Sequence, residues 1–80
     1  MEKLQITFRA ARINSGLTLK DAGSQCNKSI DTIMKYEKDS SDIPRDLMLT
    51  LLELYGVCID DIFFGKESDF YRKKKTVNLT

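Results

Sequence analysis

Thr18-Leu19-Lys20-Asp21-Ala22-Gly23-Ser24-Gln25-Cys26-Asn27-Lys28-Ser29-Ile30-Asp31-Thr32-Ile33-Met34-Lys35-Tyr36-Glu37 is the stretch whose reading decides the fold. Thr18 followed by Asp21 has the spacing that opens a helix: the threonine hydroxyl meets an orphan amide, and the acid favours the positive end of the helix dipole. That helix runs to about Gln25. Asn27 stands where the chain must turn, and asparagine is the non-glycine residue that best tolerates positive φ. Ser29 is the next N-cap candidate. Ile30, Ile33 and Tyr36 or Glu37 then line one side of a second helix, leaving Asp31, Thr32, Lys35 and Lys38 largely free. Two short helices joined by a tight turn are predicted.

Upstream, Phe8, Ala11 and more weakly Ala10 recur at helical spacing between Thr7 and Ser15, and Gly16 supplies a left-handed terminator. Leu4, Ile6 and Phe8 also alternate with polar residues as a short strand would, which makes Thr7 a candidate N-cap. Downstream, residues 39–44 form a breaker-rich loop, and Pro44 is expected in the first turn of a fourth helix, where its missing amide is harmless. Leu47, Met48, Leu49, Leu51, Leu52, Leu54 and Tyr55 make that helix apolar around most of its circumference, so it should be central to the core. Gly56 ends it, and a final helix is predicted from Val57 to Phe64, with Asp60 and Asp61 as charges in its first turn. After Gly65 the chain reads as irregular until residues 76–80, whose alternation suggests a strand needing a partner: the segment from Lys3 to Ile6, or the same tail of a second chain. The expected fold is all-α, a compact five-helix domain over 7–65, with room for a short pair of terminal β-strands contributed by segments 1–6 and 66–80.

Eighty residues limit the chain to one small domain, and 41% hydrophobic with 31% charged residues describes a soluble globular one. No apolar run approaches the roughly 20 residues of a membrane helix, and Met1-Glu2-Lys3-Leu4 lacks a signal peptide's apolar centre, so a cytoplasmic protein with no membrane partner is expected. Cys26 and Cys58 are isolated and far apart, and the chain has no histidine. Neither a zinc site nor a Cys/His nucleophile can be built from them; two reduced, partly buried thiols are expected, with no disulfide, metal or cofactor.

The formal net charge of +1 hides segregation. Residues 1–40 carry seven cations against five anions, residues 41–65 one against five, and residues 66–80 five against two. A basic face can bind a polyanion despite overall neutrality, because phosphates sense the potential within a Debye length of ~8 Å. The run Arg72-Lys73-Lys74-Lys75 is either a solvated tail or a DNA-backbone contact; no amphipathic helix accompanies it to favour a membrane surface.

Gly16-Leu17-Thr18 through Ser29 to Glu37, followed by Leu54-Tyr55-Gly56-Val57 and Asp60-Asp61-Ile62-Phe63, resembles the XRE-type helix-turn-helix family of phage repressors and Cro proteins over residues 6–65. Phe8-Arg9-Ala10-Ala11-Arg12 also looks like short regulators carried by prophages and mobile elements of Gram-positive bacteria. The resemblance implies a lambda-repressor-like bundle whose third helix, about Ser29 to Lys38, lies in the DNA major groove while the second crosses above it. It places Ser29, Ile30, Asp31, Thr32 and Lys35 among the bases, with phosphate contacts from Thr18, Lys28, Lys38, Arg45 and the amides opening the second helix. Lysine can donate to guanine O6 or N7, aspartate can accept from cytosine N4, and isoleucine can touch a thymine methyl. Arg12 and Glu37 fall where the family pairs an arginine of the first helix with a glutamate ending the third; the alternative is two separately solvated charges. Three positions depart from the family. Leu19 replaces a glutamine that binds phosphate, and Ala22 and Gly23 replace Leu and Ala, the glycine weakening its helix by about 1 kcal/mol.

A sequence-specific double-stranded DNA-binding transcriptional regulator is therefore expected, a homodimer because one recognition helix reads too few base pairs, and with no small-molecule effector. The alternative is a protein-interaction module, antitoxin-like or anti-repressor, using the acidic stretch around Asp42, Asp46 and Glu53 or the terminal strands. An enzyme is not expected: histidine, a glycine-rich phosphate loop and a carboxylate pair outside helix caps are all missing.

Overall fold

The computed structural model describes residues 4–72. Thr7 caps the first helix, α1 (Phe8–Asn14), its hydroxyl accepting from the Ala10 amide at 3.1 Å. Thr18 opens α2 (Leu19–Cys26) with a full capping box: its hydroxyl accepts from the Asp21 amide, and the Asp21 carboxylate accepts from the Thr18 amide, both at 3.0 Å. The Thr18 amide, and next the Thr18 side chain, favour the ionised acid and hold the Asp21 carboxyl below its ordinary pKa. Asn27 takes the left-handed conformation (φ 57°, ψ 42°) that ends α2, and Ser29 caps α3 (Ile30–Lys38) by accepting from the Thr32 amide.

Pro44 stands one residue outside the helix it was expected to begin. It is the N-cap of α4 (Arg45–Tyr55), with no side-chain cap, and Gly56 closes that helix in the left-handed region. The predicted helix from Val57 to Phe64 shrinks to a single 3-10 turn, Ile59–Asp61. The cause is the N-terminal segment: Ile6 donates to the Asp61 carbonyl and accepts from the Phe63 amide, each at 2.9 Å, which pulls Ile62 into extended backbone as a parallel bridge partner of Ile6. A bridge replaces helical bonds there. The partner of Ile6 is thus Ile62; the expected strand at 76–80 lies outside the described residues. Nor is the chain irregular after Gly65, since residues 67–72 are helical. Among the described residues the architecture is all-α, with isolated bridges and no strand.

The helices bury one face each. Phe8 and Ala11 of α1, Ala22 of α2 and Ile33 of α3 converge on Leu47, Leu51, Leu52 and Tyr55 of α4, with Ile62 closing one end and the Phe64 ring set edge-on to Phe8 at 5.6 Å. Leu49 remains exposed, so α4 is central without being apolar all round. Ser15 ties the ends of α1 and α4 together, its single hydroxyl hydrogen shared between the carbonyls of Ala11 at 3.0 Å and Tyr55 at 3.2 Å. Cys26 is half-buried, and burial raises its thiol pKa; Cys58 is exposed, contrary to the expectation that both thiols are partly covered.

Tyr55 brings one polar atom into this core: its hydroxyl is buried and has no hydrogen-bond partner. Burial, and next the negative charge of Glu37, push its pKa far up, so it stays neutral. An unsatisfied buried hydroxyl costs about 1–3 kcal/mol, whereas the phenyl ring that Phe would leave keeps the packing. Tyr55→Phe should therefore stabilise the domain by about 1 kcal/mol, or about 4–8 °C in Tm. A melting temperature equal to or below that of the unsubstituted protein would contradict this.

Candidate nucleic-acid interface

The inner side of α3 is spent on the fold, and its outer side is left over. Ile33 is 1% exposed, and on the same side Tyr36 lies half-buried and the Glu37 side chain is largely covered. Asp31, Lys35 and Lys38, at i, i+4 and i+7, share the opposite face and are exposed. Ile30 (42% exposed) and Met34 (49%) flank that face, apolar side chains in water on a helix whose core side is already filled. Lys35 stretches its ammonium over the Tyr36 ring, 5.2 Å from the centroid.

Two of the expected base readers have prior commitments. The Ser29 hydroxyl caps α3 and lies 2.9 Å from the half-buried Thr32 hydroxyl, so one of the two hydrogens is used between them and one is left for an external acceptor. Of the expected phosphate contacts, Lys28 is exposed in the turn, Lys38 at the end of α3, Arg45 on the first turn of α4, and Thr18 at the head of α2. The Thr18 oxygen accepts from the Asp21 amide. The Asp21 carboxylate also takes the Thr18 amide, which puts a negative charge at the helix end where amides were expected to meet a phosphate.

Glu37 faces inward because Arg12 holds it. Arg12 Nε donates to Glu37 Oε2 at 2.6 Å and Nη2 to Oε1 at 3.3 Å, a forked pair whose side chains are 11% and 9% exposed. The remaining donor, Nη1, reaches the Leu17 carbonyl at 2.9 Å. The Glu37 hydrogen bond raises the already high Arg12 pKa, against the opposing effect of burial. One guanidinium therefore joins α1, the loop before α2 and the last turn of α3, which sets the direction in which the exposed face of α3 points.

The turn between α2 and α3 has its own constraint. The Lys28 amide donates to the Gly23 carbonyl at 2.8 Å, and a Cβ built on Gly23 would lie 2.6 Å from the Lys28 carbonyl oxygen. The glycine read from sequence as a weakness in α2 is thus what lets the chain fold back so closely.

Leu19 is half-buried and packs against the core. With Arg9, Met34, Lys38 and Glu67 it also borders an open hollow of about 350 Å³ over the Arg12–Glu37 pair. Met34, Arg9 and Glu67 were not singled out from the sequence. Met34 had a signal, standing four residues after Ile30; Glu67 had none, because no local pattern links it to Arg9 at the other end of the chain. Among the described residues no group of His, Cys, Asp and Glu is placed to hold a metal, and no helix is long and apolar enough to cross a membrane. Comparison with known proteins finds neither a family model nor a curated protein that matches this chain.

Proposed function

We propose that this protein is a sequence-specific double-stranded DNA-binding transcriptional regulator of the cytoplasm, with a lambda-repressor-like helix-turn-helix in which α3 enters the major groove. The observation that carries the reading is the outer face of α3: Asp31, Lys35 and Lys38 in one row, flanked by Ile30 and Met34, on a helix fixed from behind by Ile33 and by the Arg12–Glu37 pair. A rigid helix presenting a cation, an acceptor and apolar side chains together has the chemistry that base edges require. Lys35 donates to guanine O6 or N7, Asp31 accepts from cytosine N4, Ile30 covers a thymine methyl, and the hydroxyl left by Ser29 and Thr32 serves either acceptor. Lys28, Lys38, Arg45 and Thr18 hold the backbone. One such helix reads few base pairs, so the functional unit is a homodimer on half-sites about 34 Å apart.

Selection from a random duplex pool tests this. A shared motif is expected, and with it Lys35→Ala should relax the preference at one guanine by about tenfold. Lys38→Ala should weaken all duplexes alike and reduce the salt slope by about 1. Replacing the contacted thymine by deoxyuracil should lower affinity only while Ile30 is present. If no motif emerges and a stoichiometric protein partner is recovered instead, the protein-interaction reading replaces this one.

A further inference from the structure

The helical turn at 67–72 returns to the end of α3 and brings a carboxylate to its cationic edge. The return is latched: the Ser40 amide donates to the Gly65 carbonyl at 3.0 Å, the Gly65 amide donates to the Ser40 hydroxyl at 3.1 Å, and Asp39 and Lys66 form an antiparallel bridge. Glu67 thereby lies beside Arg9, with Arg9 Nη1 3.7 Å from Glu67 Oε1, and borders the same hollow as Lys38. The pair is lopsided. Arg9 is 58% exposed while Glu67 is 18% exposed, and Glu67 Oε2 is buried with no hydrogen-bond partner. A carboxylate that has lost much of its water and gained one long ion pair is poorly compensated. Lys38, an exposed residue, borders a second hollow as well, of about 440 Å³, along Asp39, Lys66, Glu67 and Tyr71.

We infer that Glu67 is a built-in counter-anion that sets how tightly the α3 face holds a DNA backbone, occupying the position beside Arg9 and Lys38 that a phosphate takes on binding. The inference rests on the DNA-binding reading. A phosphate offers several acceptor oxygens to the two cations at once, whereas Glu67 meets Arg9 through one long contact and leaves its second oxygen without a partner. Displacing it costs part of the backbone attraction on every duplex. Base contacts by Ile30, Asp31 and Lys35 are untouched, so Glu67 tunes affinity without altering sequence preference.

The test compares the full-length protein with Glu67→Gln, Asp69→Asn and Arg9→Ala/Glu67→Gln on a duplex recovered by selection and on an unrelated duplex, across a salt series. Glu67→Gln should bind both duplexes about five- to tenfold more tightly at low salt, with a salt slope steeper by about 1 and the ratio between the duplexes unchanged. Asp69, which faces solvent beside Arg72, serves as the control for bulk charge; its variant should change affinity less than twofold. The double variant should lose the gain. Equal binding by Glu67→Gln and the unsubstituted protein, or an equal gain from Asp69→Asn, overturns the inference and leaves the DNA-binding reading standing. If no form of the protein selects a duplex, both fall. Unchanged melting temperature in Glu67→Gln excludes a folding effect, and a gain in affinity that tracks altered stability counts against the inference.

Discussion

Glu37→Ala is expected to destabilise the domain by about 3–5 kcal/mol, the cost of leaving a buried guanidinium without its counter-charge. For 80 residues the whole stability is on the order of 4–12 kcal/mol, so much of the population should unfold at moderate temperature. The magnitude follows from burial: an exposed pair of the same charges would contribute under about 1 kcal/mol, but here both side chains are about nine-tenths covered and joined by a forked hydrogen bond. Arg12→Ala leaves Glu37 without its counter-charge in the same way, and it also orphans the Leu17 carbonyl. The double variant Arg12→Met/Glu37→Leu should recover most of the loss, because an apolar pair of similar volume avoids the desolvation of both ions. Denaturant midpoints of the four proteins decide it. A loss below about 1 kcal/mol for Glu37→Ala would mean that the pair is solvated after all.

Gly23→Ala sets two effects of opposite sign against each other. Helix propensity alone favours alanine by about 1 kcal/mol inside α2. Against it stands a Cβ only 2.6 Å from the Lys28 carbonyl oxygen, and that neighbour is backbone, unable to rotate aside, and part of a segment already bonded to Gly23 through the Lys28 amide. Overpacking of this kind costs about 1–3 kcal/mol, at the upper end where backbone must move, so a net loss of about 2 kcal/mol is expected. The displaced segment leads directly into the Ser29 cap, so α3 should shift with it, and on the proposed DNA-binding function the affinity for a selected duplex should fall by more than the stability loss explains. Ser24→Ala, exposed on the same helix, isolates propensity and should be neutral or slightly stabilising. A higher melting temperature for Gly23→Ala would show that the turn yields without cost.

The caps show how much of the fold was legible. Thr7, Thr18, Ser29, Asn27 and Gly56 act within one or two turns of themselves, through hydrogen bonds or backbone sterics that residue type nearly dictates, and the four α-helices fall where those residues place them. The outer face of α3 was legible for the same reason, since helical period separates Ile33 from Asp31, Lys35 and Lys38. Three readings failed at long range. The helix expected over Val57 to Phe64 gave way to pairing with Ile6, the segment after Gly65 formed a helical turn at 67–72, and Cys58 was left exposed. Each depends on a partner more than twenty residues away or on what the rest of the chain happens to cover.

By itself, then, the sequence determined the all-α character of the described residues, the approximate limits of the four main helices, and the exposure of Asp31, Lys35 and Lys38 on α3, because capping and periodicity are local properties of a few neighbouring residues. Only the tertiary structure decided that Gly23 is a necessity of the turn, that Tyr55 buries an unpartnered hydroxyl, and that Glu67 comes to rest against Arg9. The first is a matter of how closely the chain folds back on itself between α2 and α3, and the other two of distance between segments remote in the chain. They are settled when the helices pack and their carbonyls, hydroxyls and charges must share one small volume.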